Sequence, residues 1–219
     1  MFILLIISAL FAFLIGTFSL PILNKFILDI PNKRSSHIKP KPTGGGIFFI
    51  LPVSVMSLIF NDIVPLFALP LAFLGLIDDR LNINSFLRYI SQILTVYILL
   101  KYSNILELLS NQYPIFPNLI YIFILLLFGT AIINFINFMD GIDGLVAGGM
   151  LITYIFILNI NFEYYLLFII GALIPFIYFN WSPSKVFMGD VGSTFLASLY
   201  LFSIFNTDNL EFSNLSILI

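Results

Sequence analysis

Residues 118–145 read NLIYIFILLLFGTAIINFINFMDGIDGL. Between Leu119 and Ile136 there is no charge, and the polar side chains are Tyr121, Thr130 and Asn134. A run of this kind crosses the roughly 30 Å hydrocarbon core of a bilayer as one helix. It then breaks into Asn137, Asp140 and Asp143 interleaved with Gly141 and Gly144. An Asp-Gly turn followed by Asp143 as a helix N-cap accounts for part of that ending. It does not account for Asn134 and Asn137, which lie three residues apart on one face of an apolar helix and need polar partners there.

The same pattern extends in both directions. The chain of 219 residues is 60% apolar and 9% charged, far below the roughly 25% charge of a soluble domain. Its mean hydropathy is +1.10, which places it in a bilayer. Apolar stretches at 2–23, 44–60, 65–77, 84–101, 118–136, 144–160, 164–180 and 191–206 predict about eight transmembrane helices, several of them short or tilted. The expected fold is an all-α polytopic membrane protein in which residues 1–219 form a single integral domain. The first run carries no basic n-region and no cleavage site followed by a soluble domain, so it reads as a retained span.

If the spans alternate, the loops 24–43, 78–83, 137–143 and 181–190 share one side. Lys25, Lys33, Arg34, Lys39, Lys41, Arg80 and Lys185 fall there, with Arg88 a turn or two into the adjoining helix, while Lys101 lies near the opposite face. The positive-inside rule makes the first side cytoplasmic, and the expected location is the inner (plasma) membrane. Acidic residues on the outer side are scattered, but on the basic side Asp78 adjoins Asp79, Asp140 and Asp143 are three apart, and Asp190 follows Met188 and Gly189. Carboxylates at membrane depth are costly unless paired, hydrated or bound to a cation.

Four junctions on that side carry chemistry. Asp78-Asp79-Arg80 sets two repelling carboxylates side by side, which raises one pKa or recruits a divalent cation. Residues 134–145 form the second junction. The third, 180–193, places Asn180, Phe187 and Asp190 among glycines just before an apolar run, where helix N-terminal N–H groups attract phosphate. The fourth, 31–46, is a basic loop ending in Gly44, Gly45 and Gly46 that resembles a phosphate cradle, although such loops also serve as topology signals or anionic-lipid contacts. His37 within it reads as a loop hydrogen-bonding residue. With no cysteine and one histidine, any metal must be held by oxygen, which favours Mg²⁺, with Mn²⁺ as second choice.

At these residues the chain resembles the polyprenyl-phosphate N-acetylhexosamine-1-phosphate transferases, a glycosyltransferase family that includes phospho-MurNAc-pentapeptide translocase and the enzymes initiating O-antigen and teichoic-acid carriers. The four motifs occur in order across residues 29–195, with NFMDGIDGL and FMGDVGS the most specific and RSSHIKPKPTGGG closer to the O-antigen branch. The resemblance implies transfer of a sugar 1-phosphate from a UDP-sugar to undecaprenyl phosphate with release of UMP. It implies that Asp78 and Asp79 are the catalytic pair, one of them a base, and that Asp190, with Asp78 and Asp143, holds the metal. It further implies that Asn134, Asn137, Asp140, Asp143, Asn180 and Phe187 face the nucleotide-sugar, with Lys41, Gly44 and Gly45 at the diphosphate. Relatives continue past the position of Ile219 into a histidine-bearing cytoplasmic loop, so the chain is expected to be a C-terminally truncated copy. No nucleic-acid partner is expected, and a homodimer is left open. Two further readings stay alongside: a transporter whose carboxylates mark an ion path, and an inactive homologue that binds nucleotide-sugar or lipid without turnover.

Overall fold

A computed structural model describes residues 1–31, 38–114 and 116–206. Lys33, Arg34 and His37 of the basic loop lie outside the described residues, as do Asp208 and Glu211. Helix α1 (Phe2–Phe26) leads into a small antiparallel pair, β1 (Leu28–Asp29) and β2 (Lys41–Pro42), in which Leu28 faces Pro42 and Asp29 faces Lys41. There follow α2 (Ile47–Ile59), α3 (Val64–Leu81), α4 (Ser85–Tyr102), α5 (Ile105–Gln112), α6 (Asn118–Met139), α7 (Leu145–Ile160), α8 (Tyr164–Asn180) and α9 (Gly189–Phe205). This is the expected all-α membrane protein.

The span count is lower than the sequence suggested. Among the described residues only α1 and α6 are long and apolar enough to cross a membrane alone, with a third crossing if α4 and α5, bent by 68° at their junction, count as one. Each of the eight apolar stretches does form a helix, but α2, α7, α8 and α9 have 13 to 17 residues. At 1.5 Å per residue these rise about 20–26 Å, less than a ~30 Å core. Helix α3 has 18 residues, but its last turn is spent on Asp78, Asp79 and Arg80.

Polar junctions sort to two ends of the bundle. At one end Asp62 Oδ2 accepts the Tyr165 N–H (2.8 Å), Asn206 Nδ2 donates to Glu163 Oε1 (3.2 Å), and Asn161 Nδ2 donates to the Asn206 carbonyl (3.3 Å). This gathers the α2–α3 and α7–α8 junctions with the end of α9. The junctions α1–α2, α3–α4, α6–α7 and α8–α9 meet at the opposite end, where the site described below is built.

Helices α8 and α9 form the centre. From Tyr165 to Leu173 every residue of α8 is buried, and so is nearly all of α9 beyond Asp190. A helix apolar on all sides belongs inside a bundle. Helix α1 instead turns Phe2, Ile6, Leu10 and Phe18 outward and packs through Ser8, Ala12 and Gly16, small residues at helical spacing that let backbones approach. Ser8 Oγ donates to the Phe168 carbonyl at 2.6 Å in that contact. The site end depends on two similar close approaches. A Cβ at Gly75 would lie 2.7 Å from the Asp190 carbonyl oxygen and Val191 nitrogen, and one at Gly46 would lie 2.3 Å from the Gly192 Cα. Helix α3 and the start of α2 are thereby pressed onto the first turn of α9.

Candidate active site

Gly75 carries α3 against α9, and one turn later Asp78 and Asp79 arrive beside Asp190. Asp79 uses its carboxylate as an N-cap for a helix other than its own: Oδ1 accepts the Asp190 N–H (2.8 Å) and Oδ2 the Val191 N–H (3.3 Å). These are orphan donors of the first turn of α9, whose own cap residue, Met188, offers no side-chain acceptor. Gly189, at φ +78°, makes this fit, since a Cβ there would meet Asp79 Oδ2 at 2.4 Å and Gly44 N at 2.8 Å. Asp78 is buried; Oδ1 accepts the Ile83 N–H (2.7 Å) and Oδ2 accepts Arg88 Nη1 (2.6 Å).

Asp190 collects donors from two further helices. Arg88 Nη1 of α4 lies 3.3 Å from its Oδ2, and Asn137 Nδ2 of α6 lies 2.9 Å from its Oδ1 while also reaching Ser193 Oγ at 3.0 Å. One guanidinium nitrogen thus sits between a carboxylate oxygen of Asp78 and one of Asp190. Read from the sequence, Arg88 counts only toward topology. The signal available was its position within an apolar helix, where an ionisable residue calls for a partner.

A second polar node stands apart. Asp143 does not cap α7, whose N-cap is Gly144 at φ +74°. Its carboxylate instead accepts the Ser184 N–H (3.1 Å) and Oγ–H (2.8 Å), and Lys41 Nζ lies 3.7 Å from it while donating to Ser184 Oγ at 2.9 Å. Lys41 also stands 5.0 Å over the Phe187 ring. Asn180, buried, accepts the Gly144 N–H (3.1 Å) and donates to the Val186 carbonyl (3.0 Å), tying the loop before α7 to the loop before α9. The N–H groups of Gly45 and Gly46 are taken by the carbonyls of Phe187 and Met188, both at 2.9 Å. Asn134 pairs with Gln92 of α4.

The first cluster opens into a cavity of about 810 Å³. Of the expected site residues Asp78, Asp79, Asn137, Asp140, Phe187 and Asp190 line it; Lys41, Gly44, Gly45, Asn134, Asp143 and Asn180 do not. Arg80, Asn82, Arg88, Thr43 and Asp29 join the lining, and Leu28, Ile30 and Phe138 give it an apolar, exposed margin. Five carboxylates face two guanidinium groups, an excess of three negative charges when all are ionised. Burial, then the charges of Asp190 and Asp78, push Asp79 up to about 7 against the pull of its two N–H donors. Asp140, in the turn after α6, is raised well above the carboxylate range by burial and by Asp79 and Asp190.

A magnesium ion fits this donor set in one particular way. Among the described residues no three carboxylates are grouped to enclose an ion. Magnesium, however, is held by one or two carboxylates plus waters and substrate phosphates. Asp78 and Asp190 already flank one cationic nitrogen, so they are the pair suited to it. The set expected from sequence also included Asp143, which the structure commits to Ser184 and Lys41 instead.

The family model described as Glycosyl transferase family 4 matches residues 63–206, which include Asp78, Asp79, Arg88, Asn137, Asp140 and Asp190. The chain belongs to glycosyl transferase family 4. Curated relatives carry the name phospho-N-acetylmuramoyl-pentapeptide-transferase. The protein of Dictyoglomus thermophilum is 33% identical over 187 residues, covering 75% of this chain and 61% of the relative. That of Dictyoglomus turgidum is 33% identical over 190 residues with the same coverage, and that of Clostridium beijerinckii is 27% identical over 229 residues, covering 89% and 70%. This family-4 chain therefore spans about three fifths of the length of the two Dictyoglomus relatives.

Proposed function

We propose that this chain transfers a sugar 1-phosphate, an N-acetylhexosamine phosphate, from a UDP-sugar to undecaprenyl phosphate, releasing UMP and starting a lipid-linked cell-envelope glycan such as O-antigen. The observation that carries the reading is the meeting of Asp78, Asp79, Asp140 and Asp190, from three helix ends, around one cavity with an apolar margin. Grouping at helix ends supports interfacial chemistry over an ion path, which would use carboxylates midway along helices. The basic residues Lys25, Lys39, Lys41, Arg80 and Lys185 lie at this end, so the reading sets the cavity on the cytoplasmic face of the inner membrane.

In the proposed reaction an oxygen of the lipid phosphate attacks the sugar-bearing phosphorus of the donor. The bond from that phosphorus to the oxygen bridging to UMP breaks, and UMP leaves with that oxygen. Asp78 or Asp79 takes the proton of the lipid phosphate where one is present. Asp78 and Asp190 would hold a magnesium or manganese ion, whose charge would neutralise diphosphate oxygens. Arg88 keeps donors beyond the one used on the two carboxylates and aims them at the phosphates. Phe187 and Asn137 face the nucleotide-sugar from the cavity wall. Lys41, Gly45, Asp143 and Asn180 act one layer behind, holding the loops that carry Phe187 and Asp190.

The test is conversion of radiolabelled UDP-N-acetylhexosamines, supplied one at a time to membranes containing the chain and undecaprenyl phosphate. The expected product is butanol-extractable labelled lipid formed one-for-one with UMP. Absence of lipid product from every donor, with the protein folded in the membrane, would refute the reading.

A further inference from the structure

Gln92 of α4 and Asn134 of α6 meet side chain to side chain. Gln92 Nε2 donates to Asn134 Oδ1 at 3.1 Å and Asn134 Nδ2 returns a bond to Gln92 Oε1 at 2.9 Å, so each amide donates to and accepts from the other. The second N–H of Asn134 goes to the Thr130 carbonyl at 2.8 Å. Gln92 is buried, 6% exposed, whereas Asn134 lies on the exposed side of α6. A closed amide pair suits apolar surroundings, where an unpartnered amide would be costly.

Its position relates it to the site. Arg88 lies four residues before Gln92 on α4, and Asn137 lies three residues after Asn134 on α6, so each helix presents a clasp residue and a site residue on one face. Those two site residues hold the two oxygens of Asp190 separately, Asn137 on Oδ1 at 2.9 Å and Arg88 on Oδ2 at 3.3 Å. The clasp is about 6 Å deeper in the bundle than Arg88, one helical turn away. It is not required to bring the helices together, because Gly129 already admits Val96 so closely that a Cβ there would lie 2.6 Å from Val96 Cγ1. What remains for it to fix is the rotation of α4 against α6, and hence where Arg88 and Asn137 point.

We propose that Gln92 and Asn134 are positioning residues whose reciprocal amide pair sets Arg88 and Asn137 on either side of Asp190. The inference rests on the proposed function for the metal-binding role of Asp190. It assigns Asn134 to orienting the carboxylate in place of contacting the nucleotide-sugar.

The test uses the full chain in detergent micelles, labelled with ¹⁵N-asparagine, with the Asn137 side-chain amide assigned by Asn137→Ser. In metal-free protein Gln92→Leu and Asn134→Leu each shift the Asn137 resonances, and Mg²⁺ affinity from thermal-shift titration falls about 10-fold. The exchange Gln92→Asn with Asn134→Gln, which retains both amides and their combined length, restores the resonances and the affinity. Should a leucine variant fail to fold, Asn134→Ser, too short to reach Gln92, carries the same test. Unmoved Asn137 resonances in a folded clasp variant, or failure of the exchange to restore them, overturns the proposal. A wild-type chain that binds no Mg²⁺ would overturn the metal role of Asp190, while the Asn137 resonances would still decide the clasp.

Discussion

Asp79 caps the helix that presents Asp190: its Oδ1 accepts the Asp190 backbone N–H at 2.8 Å across a helix–helix contact. One carboxylate of the proposed catalytic pair therefore also holds the other acidic motif in place. Asp78, its neighbour, is tied instead to Arg88 and the Ile83 N–H. Adjacent aspartates thus have separable structural roles.

Removing the Asp79 carboxylate and merely neutralising it should have different effects. Asp79→Ala leaves the Asp190 and Val191 N–H groups without their acceptor, and loss of an N-cap costs about 1–2 kcal/mol. Asp79→Asn keeps an acceptor oxygen. The expected outcome is a lowered melting temperature for Ala, a near wild-type one for Asn, and loss of transfer in both. Equal melting temperatures for Ala and wild type would remove the cap from the account.

Arg88 is the counter-charge for Asp78 and Asp190 when no metal is bound. Arg88→Met is expected to lower the melting temperature in EDTA and to recover most of the loss at saturating Mg²⁺. Arg88→Lys should fall between, because an ammonium lacks the planar fork of guanidinium. A melting temperature for Arg88→Met in EDTA equal to that of wild type would contradict this.

The pH dependence follows from Asp79, held at about 7 against an ordinary 3.8. A folded-state pKa above the unfolded one stabilises fully below the lower value, and that contribution is lost as pH rises towards the higher. Metal-free protein should therefore lose stability from about pH 4 to 7. Asp140, raised for the same causes, acts in the same direction. Asp190, itself raised by burial, must be ionised to take Mg²⁺, and a dication there favours the ionised forms of Asp79 and Asp140 beside it, so binding should tighten as pH rises to 7 and release protons below it. Calorimetric titration in buffers of different ionisation enthalpy measures this; an affinity independent of pH would contradict it.

Asn180 bridges two loops from a buried position. Asn180→Leu orphans the Gly144 N–H and the Val186 carbonyl, and each unsatisfied buried group costs about 1–3 kcal/mol. The expected result is a large fall in melting temperature. A folded variant of wild-type stability with only a raised donor KM would instead make Asn180 a direct substrate contact.

Much of this was legible in the chain. The apolar runs marked every long helix, and their polar ends marked the four junctions that meet. What sequence could not show was which carboxylate engages which partner, because that depends on contacts far apart in the chain. Asp143 and Asp190 look equivalent as acids beside glycine, yet Ser184 takes one while Arg88 and Asn137 take the other. Gly46 reads as part of a phosphate cradle, but its use, like that of Gly75, lies in close approach to the backbone of α9. Eight spans exceed what the helix lengths carry, because runs read as short or tilted fold into helices of 13 to 17 residues, less than the rise that crosses the core.

The central claim is that Asp78, Asp79 and Asp190 serve one phosphate-handling site. Its most direct test is Mg²⁺-dependent exchange of labelled UMP into UDP-sugar, in membranes carrying the chain and undecaprenyl phosphate. Exchange by the wild-type chain and its loss in each of Asp78→Asn, Asp79→Asn and Asp190→Asn, all still folded, is the predicted result. Exchange that persists in all three would contradict it.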